Sequence, residues 1–336
     1  MKDSTPSTYI FNTDRDAHLI SEGSIITTMS DLHIGMYDRP AVAGGRKHAI
    51  TEDRINDLIT DSLLRSDHLV LTGDVFETVY LPPDTTLDKA LHDYNIRLSQ
   101  WLDVTKDTVS SLHLIAGNHD SKPELIHMLE EVSARYPDRL HIHPVALRMN
   151  DILFVHGDNV AGKHVPDAIA RDADTEGGIG NNIINHLPDV IKPAAAHLFA
   201  DVKSHMQPIW QLVHNHYDHK QYREDLYDYL QGSDLTKPLH QQDGTIIPEV
   251  SQIHAGHTHK PYFDEIVSSA TNIHMFNAGT LADIRQFEPH HITITSHEPQ
   301  VTIDEHALTI AQQNRFHLHD TAYEGVVEKK ISKVLS

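Results

Sequence analysis

Short apolar runs recur along the chain and end in the same way. "GSIITTMSDLH" (23–33), "HLVLTGDVFE" (68–77), "SLHLIAGNHD" (111–120) and "DILFVHGD" (151–158) are rich in Ile, Leu and Val and close on Gly, Asn or Asp, as buried strands do. Between them the pattern turns helical. Residues 48–65 place Ile50, Ile55, Leu58, Ile59 and Leu63 on one face. Residues 86–109 and 121–135 read similarly, the latter with Ser121 as N-cap and Pro123 in the first turn. Alternating strands and helices predict a layered α/β fold.

The pattern changes after residue 159. "DNVAGKHVPDAIARDADTEGGIGNN" reads as loop, and 181–232 as mostly helical with breaks at Pro188, Pro193 and Pro208. Tyr222, Leu226 and Tyr229, spaced i, i+4, i+7, read as one packing face. Strands resume at "EVSQIHAGHTHKP" (249–261) and "NIHMFNAGT" (272–280). "HITIT" (291–295) and "QVTID" (300–304) then suggest a hairpin turning through His297-Glu298-Pro299. A chain of 336 residues slightly exceeds the ~250–300 at which one core stops growing. The expected organisation is therefore a core of 1–159 and 246–304, a helical insertion of 160–245 capping it, and a polar tail of 305–336.

Composition narrows the chemistry. There are no cysteines, so any metal site must use His, Asp, Glu and Asn. The net charge of −21 repels phosphate backbones, so nucleic acid is not an expected partner. No run has the ~18 apolar residues of a membrane span, and the first residues resemble neither a signal nor a transit peptide; a cytoplasmic location is the expectation. Histidine is the outlier at 29 residues. Many read as solvated positions, as do His214, His216 and His219 in "HNHYDHK".

The strand ends collect a different set: Asp31 and His33, Asp74, Asn118 and His119, His156, His257 and His259. Loops at the carboxyl ends of an open α/β sheet converge on one crevice. Oxygen and nitrogen donors gathered there call for cations. Two Asp, one Asn and four His from this set, seven ligands, exceed what one ion takes with an open position, which suggests two ions sharing a carboxylate. The donor types suit Mn²⁺, Fe²⁺/Fe³⁺ or Zn²⁺.

The series D-x-H, G-D-x-x-E, G-N-H-D, H-G-D and G-H-x-H, within 24–33, 70–77, 114–120, 152–158 and 253–259, resembles the calcineurin-like metallophosphoesterase superfamily. The resemblance implies a two-sheet α-β-β-α sandwich with a dinuclear metal centre. It implies Asp31, His33 and His259 as ligands of the first ion, Asp74 as the bridging carboxylate, and Asn118, His156 and His257 as ligands of the second. It also implies His119 as general acid, with Asp120 as its orienting partner or, alternatively, as a helix cap. The implied reaction is in-line attack on phosphorus by a metal-bridging hydroxide, with a small phosphorylated compound or nucleotide as substrate.

"GDVFE" and the long segment between His156 and His257 are similar to the UDP-2,3-diacylglucosamine diphosphatase branch. Two departures make that branch a relative and no more. It usually has arginine where His119 stands, and a cysteine-containing continuation where this chain reads "NVAGKHV". Arg46 and Lys47 in "AGGRKH" are candidate contacts to a substrate phosphate, a solvated loop being the other reading. An exonuclease of the same superfamily and a catalytically silent metal-binding scaffold are the alternative functions.

Overall fold

The computed structural model describes residues 11–35, 52–79, 81–82, 84–158, 219–257, 262–268, 273–279, 290–295 and 298–303. Two six-stranded sheets lie face to face. The first carries, in spatial order, β14 (Glu298–Ile303), β13 (His290–Thr295), β2 (Ile25–Met29), β3 (His68–Thr72), β4 (Ser111–Ile115) and β5 (Leu140–His143). The second carries β1 (Ala17–His18), β6 (Ala146–Met149), β7 (Ile152–Val155), β10 (Gln252–His254), β12 (Ile273–Asn277) and β11 (Tyr262–Ser268). A small ribbon of β8 (Leu239–His240) and β9 (Ile246–Ile247) stands apart. Among the described residues no helix is long and apolar enough to cross a membrane.

The site follows from strand direction. β2, β3, β4 and β5 are mutually parallel, as are β7, β10 and β12. Every expected motif in the described residues therefore leaves a strand at its carboxyl end.

Three apolar clusters hold the layers. Beyond α1 (Thr13–Asp16), a single turn before β1, the first packs α2 (Glu52–Arg65), α3 (Leu87–Val104) and α4 (Pro123–Arg135) on the outer face of the first sheet. In α2, Ile55, Leu58, Ile59 and Leu63 are buried at the expected spacing. Thr86 caps α3, its hydroxyl accepting from the Lys89 amide at 3.3 Å. Pro123 does open α4, but the N-cap is Lys122 and not Ser121, whose hydroxyl donates to the Asn118 carbonyl at 3.0 Å. The second cluster packs α5 (His219–Gly232) on the outer face of the second sheet. The third fills the space between the sheets with Ile26, Val70, Ile115, Met149, Ile152, Phe154 and Phe276.

The sandwich is thus the expected α-β-β-α arrangement, with three differences of detail. First, α5 and β8 lie within 160–245, yet Tyr222, Leu226, Tyr227 and Leu230 pack on the sandwich. That end of the expected insertion is a layer of the core; residues 159–218 lie outside the described residues. Second, Tyr229 is 38% exposed, whereas Tyr227 is buried. The apolar arc of α5 is centred beyond Leu226, which leaves Tyr229 on its rim. Third, the last hairpin is tighter than expected, with Thr295 opposite Glu298 and Ile294 opposite Pro299. Proline is tolerated there because β14 is an edge strand.

Candidate metal centre

The loops after β2 and β3 run side by side. The Asp31 amide donates to the Gly73 carbonyl at 3.1 Å, that of His33 to Asp74 at 2.9 Å and that of Ile34 to Val75 at 2.9 Å. Leu32 and Ile34 are buried in the helix-side cluster. The backbone is strained here. Asp31, His33, Asp74 and His257 have φ of 54°, 45°, 51° and 68°, a region that costs a non-glycine residue of order 1–3 kcal/mol. Four expected ligands share it, and two positions elsewhere, Asn150 and Asp234, complete the set of such non-glycine residues among those described. Gly117 marks a close approach: a Cβ there would collide with the Asp74 carboxylate and its amide.

Two groups of donors meet on Asp74. His33, Asp74 and His119 form one, and Asp74, His156 and His257 the other, with the potential ligand atoms of each within 4.8 Å of one another. The Asp74 Oδ2 atom lies 3.3 Å from His156 Nε2 and 3.8 Å from His33 Nε2. Asn118 Oδ1 lies 3.2 Å from both His156 Nε2 and His257 Nδ1. Ligands about 2.1 Å from a shared cation stand roughly 3.0–3.4 Å apart, so these spacings fit a coordination shell. Asp31 enters neither group. Its carboxylate accepts the His257 amide at 3.1 and 3.2 Å and the Ser30 hydroxyl, and so fixes the His257 backbone. His259, Arg46 and Lys47 lie outside the described residues.

Proton accounting tests whether a cation fits. His156 Nδ1 is 3.0 Å from the Thr72 carbonyl, so it carries the hydrogen and Nε2 the lone pair. That lone pair faces Asp74 Oδ2 and Asn118 Oδ1, which are themselves acceptors. Three acceptors aimed at one another are stable only around a positive charge, whether proton or metal ion. The same pull appears in the titration behaviour. Burial disfavours the charged His156, but Asp74, with Asp31 and Asp158, outweighs it and raises the imidazole well above its ordinary pKa. Burial alone would raise Asp74, but His156, His119 and His33 hold it well below the usual carboxylate range.

Glu77 is the residue whose role the sequence did not disclose. It is fully buried, and its carboxylate accepts from His119 Nδ1 at 2.9 and 3.0 Å and from His33 Nδ1 at 3.2 Å. Burial would raise its pKa, but His119 and His33 hold it well below the ordinary value. The carboxylate beside His119 is therefore Glu77, not Asp120. Asp120 accepts instead from the amides of Val75 at 3.0 Å, Phe76 at 2.9 Å and Gly117 at 3.3 Å. It pins the Asp74 loop to the Asn118 loop, and it is not the helix cap either. The signal for Glu77 was present as the fourth letter of G-D-x-x-E, without any sign of where its carboxylate points.

Tyr222 of α5 borders the site, stacking near His257 with ring centroids 6.4 Å apart and donating to the Gly157 carbonyl at 2.8 Å. A search of curated proteins finds no match to this chain. The profile of the calcineurin-like phosphoesterase family matches residues 25–261, which span every motif that builds the site, and the chain belongs to that family.

Proposed function

We propose that the protein is a divalent-metal-dependent phosphoesterase acting on small phosphoesters or nucleotide diphosphate linkages. The observation that carries this reading is the ring of acceptors around Asp74, whose lone pairs oppose one another unless cations lie between them. Asp31, His33 and His259 with Asp74 would hold one ion; Asp74, Asn118, His156 and His257 would hold the other. Such ions supply Lewis acidity toward phosphoryl oxygens and lower the pKa of water.

The remaining work falls to the chain's own side chains. Glu77 fixes His119 through Nδ1, so proton donation to a departing oxygen falls to Nε2. The adjacent carboxylate favours the imidazolium form, which a general acid needs near neutral pH. The same carboxylate sets the ring of His33, so ligand and acid share one orienting group. The charge of −21 favours small substrates over nucleic acid.

A substrate panel tests this: phenyl phosphate esters, cyclic nucleotides, nucleotide sugars and single-stranded DNA, each with Mn²⁺, Zn²⁺ and Mg²⁺. Metal-dependent turnover of the small substrates is expected. Preferential DNA cleavage would support the exonuclease alternative, and metal binding without any turnover the silent scaffold.

A further inference from the structure

A second group of histidines lies between the sheets and shares no residue with the centre around Asp74. Strand alternation puts it there. Ile115 of β4 belongs to the inter-sheet cluster, so Ser111 and His113, four and two positions earlier, face the same way. His143 of β5 lies beside Ile115, and His141 beside His113. From the opposite sheet, His18 of β1 lies beside Met149, another inter-sheet residue. His113 and His143 are buried.

Hydrogen positions are constrained at the Asp16 end. His143 Nδ1 lies 2.9 Å from the buried Asp16 carboxylate, so Nδ1 carries the hydrogen and Nε2 the lone pair. His113 Nε2 lies 2.9 Å from the Ser111 hydroxyl, which lies 2.7 Å from His68 Nδ1. If His113 Nε2 donates to Ser111 and Ser111 to His68, every atom of that chain is satisfied. His113 Nδ1 and His143 Nε2 then both present lone pairs across 3.1 Å; with the chain run the other way, His113 Nδ1 donates to His143 Nε2, the state an incoming cation would displace. That spacing is close to the roughly 3.3 Å edge of a tetrahedron with Zn–N bonds of about 2.0–2.1 Å. His18 completes the triangle, the candidate ligand atoms of all three rings lying within 4.8 Å of one another. Its Nε2 is buried with no hydrogen-bond partner among the described residues.

We propose that His18, His113 and His143 form a separate metal site for one Zn²⁺ ion, clipping β1 of one sheet to β4 and β5 of the other. Ring centroids 6.0, 6.1 and 5.3 Å apart resemble the 5.2 Å between His156 and His257. Three imidazoles with no hard oxygen ligand suit Zn²⁺, and Asp16 behind His143 is the usual carboxylate partner of a ligating histidine. His18, His68 and His141 are only half-buried, which leaves a path of entry.

The test is the Zn²⁺ content of the metal-loaded, dialysed full-length protein, with thermal unfolding run with and without Zn²⁺. The wild type should hold one equivalent more than His18→Ala, a mild change on a short edge strand. The Zn²⁺-dependent rise in Tm should shrink in that variant, while Mn²⁺-supported phosphoesterase activity stays within about twofold. His113→Gln should lose the same equivalent. Asp74→Asn should keep it while losing metal from the other centre. Equal Zn²⁺ content and an equal rise in Tm for wild type and His18→Ala would overturn the proposal. Neither readout needs an active enzyme, so failure of the phosphoesterase reading would be seen separately.

Discussion

Replacing Glu77 by Gln changes one charge at nearly constant volume, at a position where two histidines depend on it. The carboxylate now receives N–H groups from His119 at 2.9 Å and His33 at 3.2 Å, and the Val79 amide at 2.7 Å. A glutamine has one acceptor oxygen, and its NH₂ group would face a ring N–H or force that ring to turn. Loss of such an orienting partner typically costs about 10–100-fold in metal affinity or activity. A second effect separates orientation from charge. A carboxylate in contact with imidazolium stabilises the protonated ring by about 1–3 pH units. The alkaline limb of kcat against pH should therefore move to lower pH in Glu77→Gln, on a substrate with a poor leaving group.

The assay is a pH–rate profile of wild type, Glu77→Gln and Glu77→Asp at saturating Mn²⁺, with metal content measured on the same samples. The account expects a fall of about 10–100-fold in kcat for the glutamine variant, a shifted limb, and partial recovery in the aspartate variant. An unshifted limb at full metal occupancy would refute the assignment of Glu77 to His119. Wild-type activity in Glu77→Gln would refute the positioning role altogether.

Other predictions follow from the same packing. His119→Ala should retain its metals and lose about 10²–10⁴-fold in turnover of an alkyl phosphoester, the usual scale of general acid catalysis. The loss should be much smaller on a nitrophenyl ester, and equal losses would make His119 a ligand or a structural residue. His254 is buried between Phe154 and Phe276, with ring centroids 5.2 and 5.0 Å away, and burial depresses its pKa to about 3. The unfolded chain therefore takes up the proton first, and stability falls as pH drops from about 6.5 toward 3. His254→Leu should remove about 2–3 kcal/mol of the loss between pH 6.5 and 4.5; parallel urea-stability curves for the two proteins would exclude this. Arg148 is fully buried and donates to the carbonyls of Leu235, Lys237 and Pro248. Arg148→Met should cost about 3 kcal/mol or more, because it leaves those acceptors unpaired, and a loss below about 1 kcal/mol in urea unfolding would contradict that role.

The strands that carry the site were legible because each is an apolar run ending in residues unsuited to continue it. Asp31, His33, Asp74, Asn118, His156 and His257 could be read from the sequence because each follows such a strand closely. Glu77 could not be assigned, since its partners His33 and His119 lie 44 and 42 positions away in the chain and only the fold brings them together. Asp120 was misassigned for the related reason that adjacency to His119 says nothing about direction; its carboxylate turns back to three amides. β5 and β6, four residues each, were too short and too polar to stand out. With β5 went His143, while His18 and His113, taken singly, read as solvated residues. Tyr229 and Tyr227 show the limit of period counting: the right helix was found, but its buried face was placed one position off centre.

The central claim is that cations held around Asp74 carry the activity. The most direct measurement strips the protein with a chelator, adds Mn²⁺ stepwise, and follows bound equivalents and phosphoester hydrolysis together in wild type and Asp74→Asn. Mn²⁺ is the apt probe because an all-imidazole site binds it weakly. Activity in the wild type should be absent without metal and rise as two equivalents bind, while Asp74→Asn should lose metal and activity together. Hydrolysis by the stripped protein, or an Asp74→Asn variant that binds and turns over like the wild type, would contradict the account.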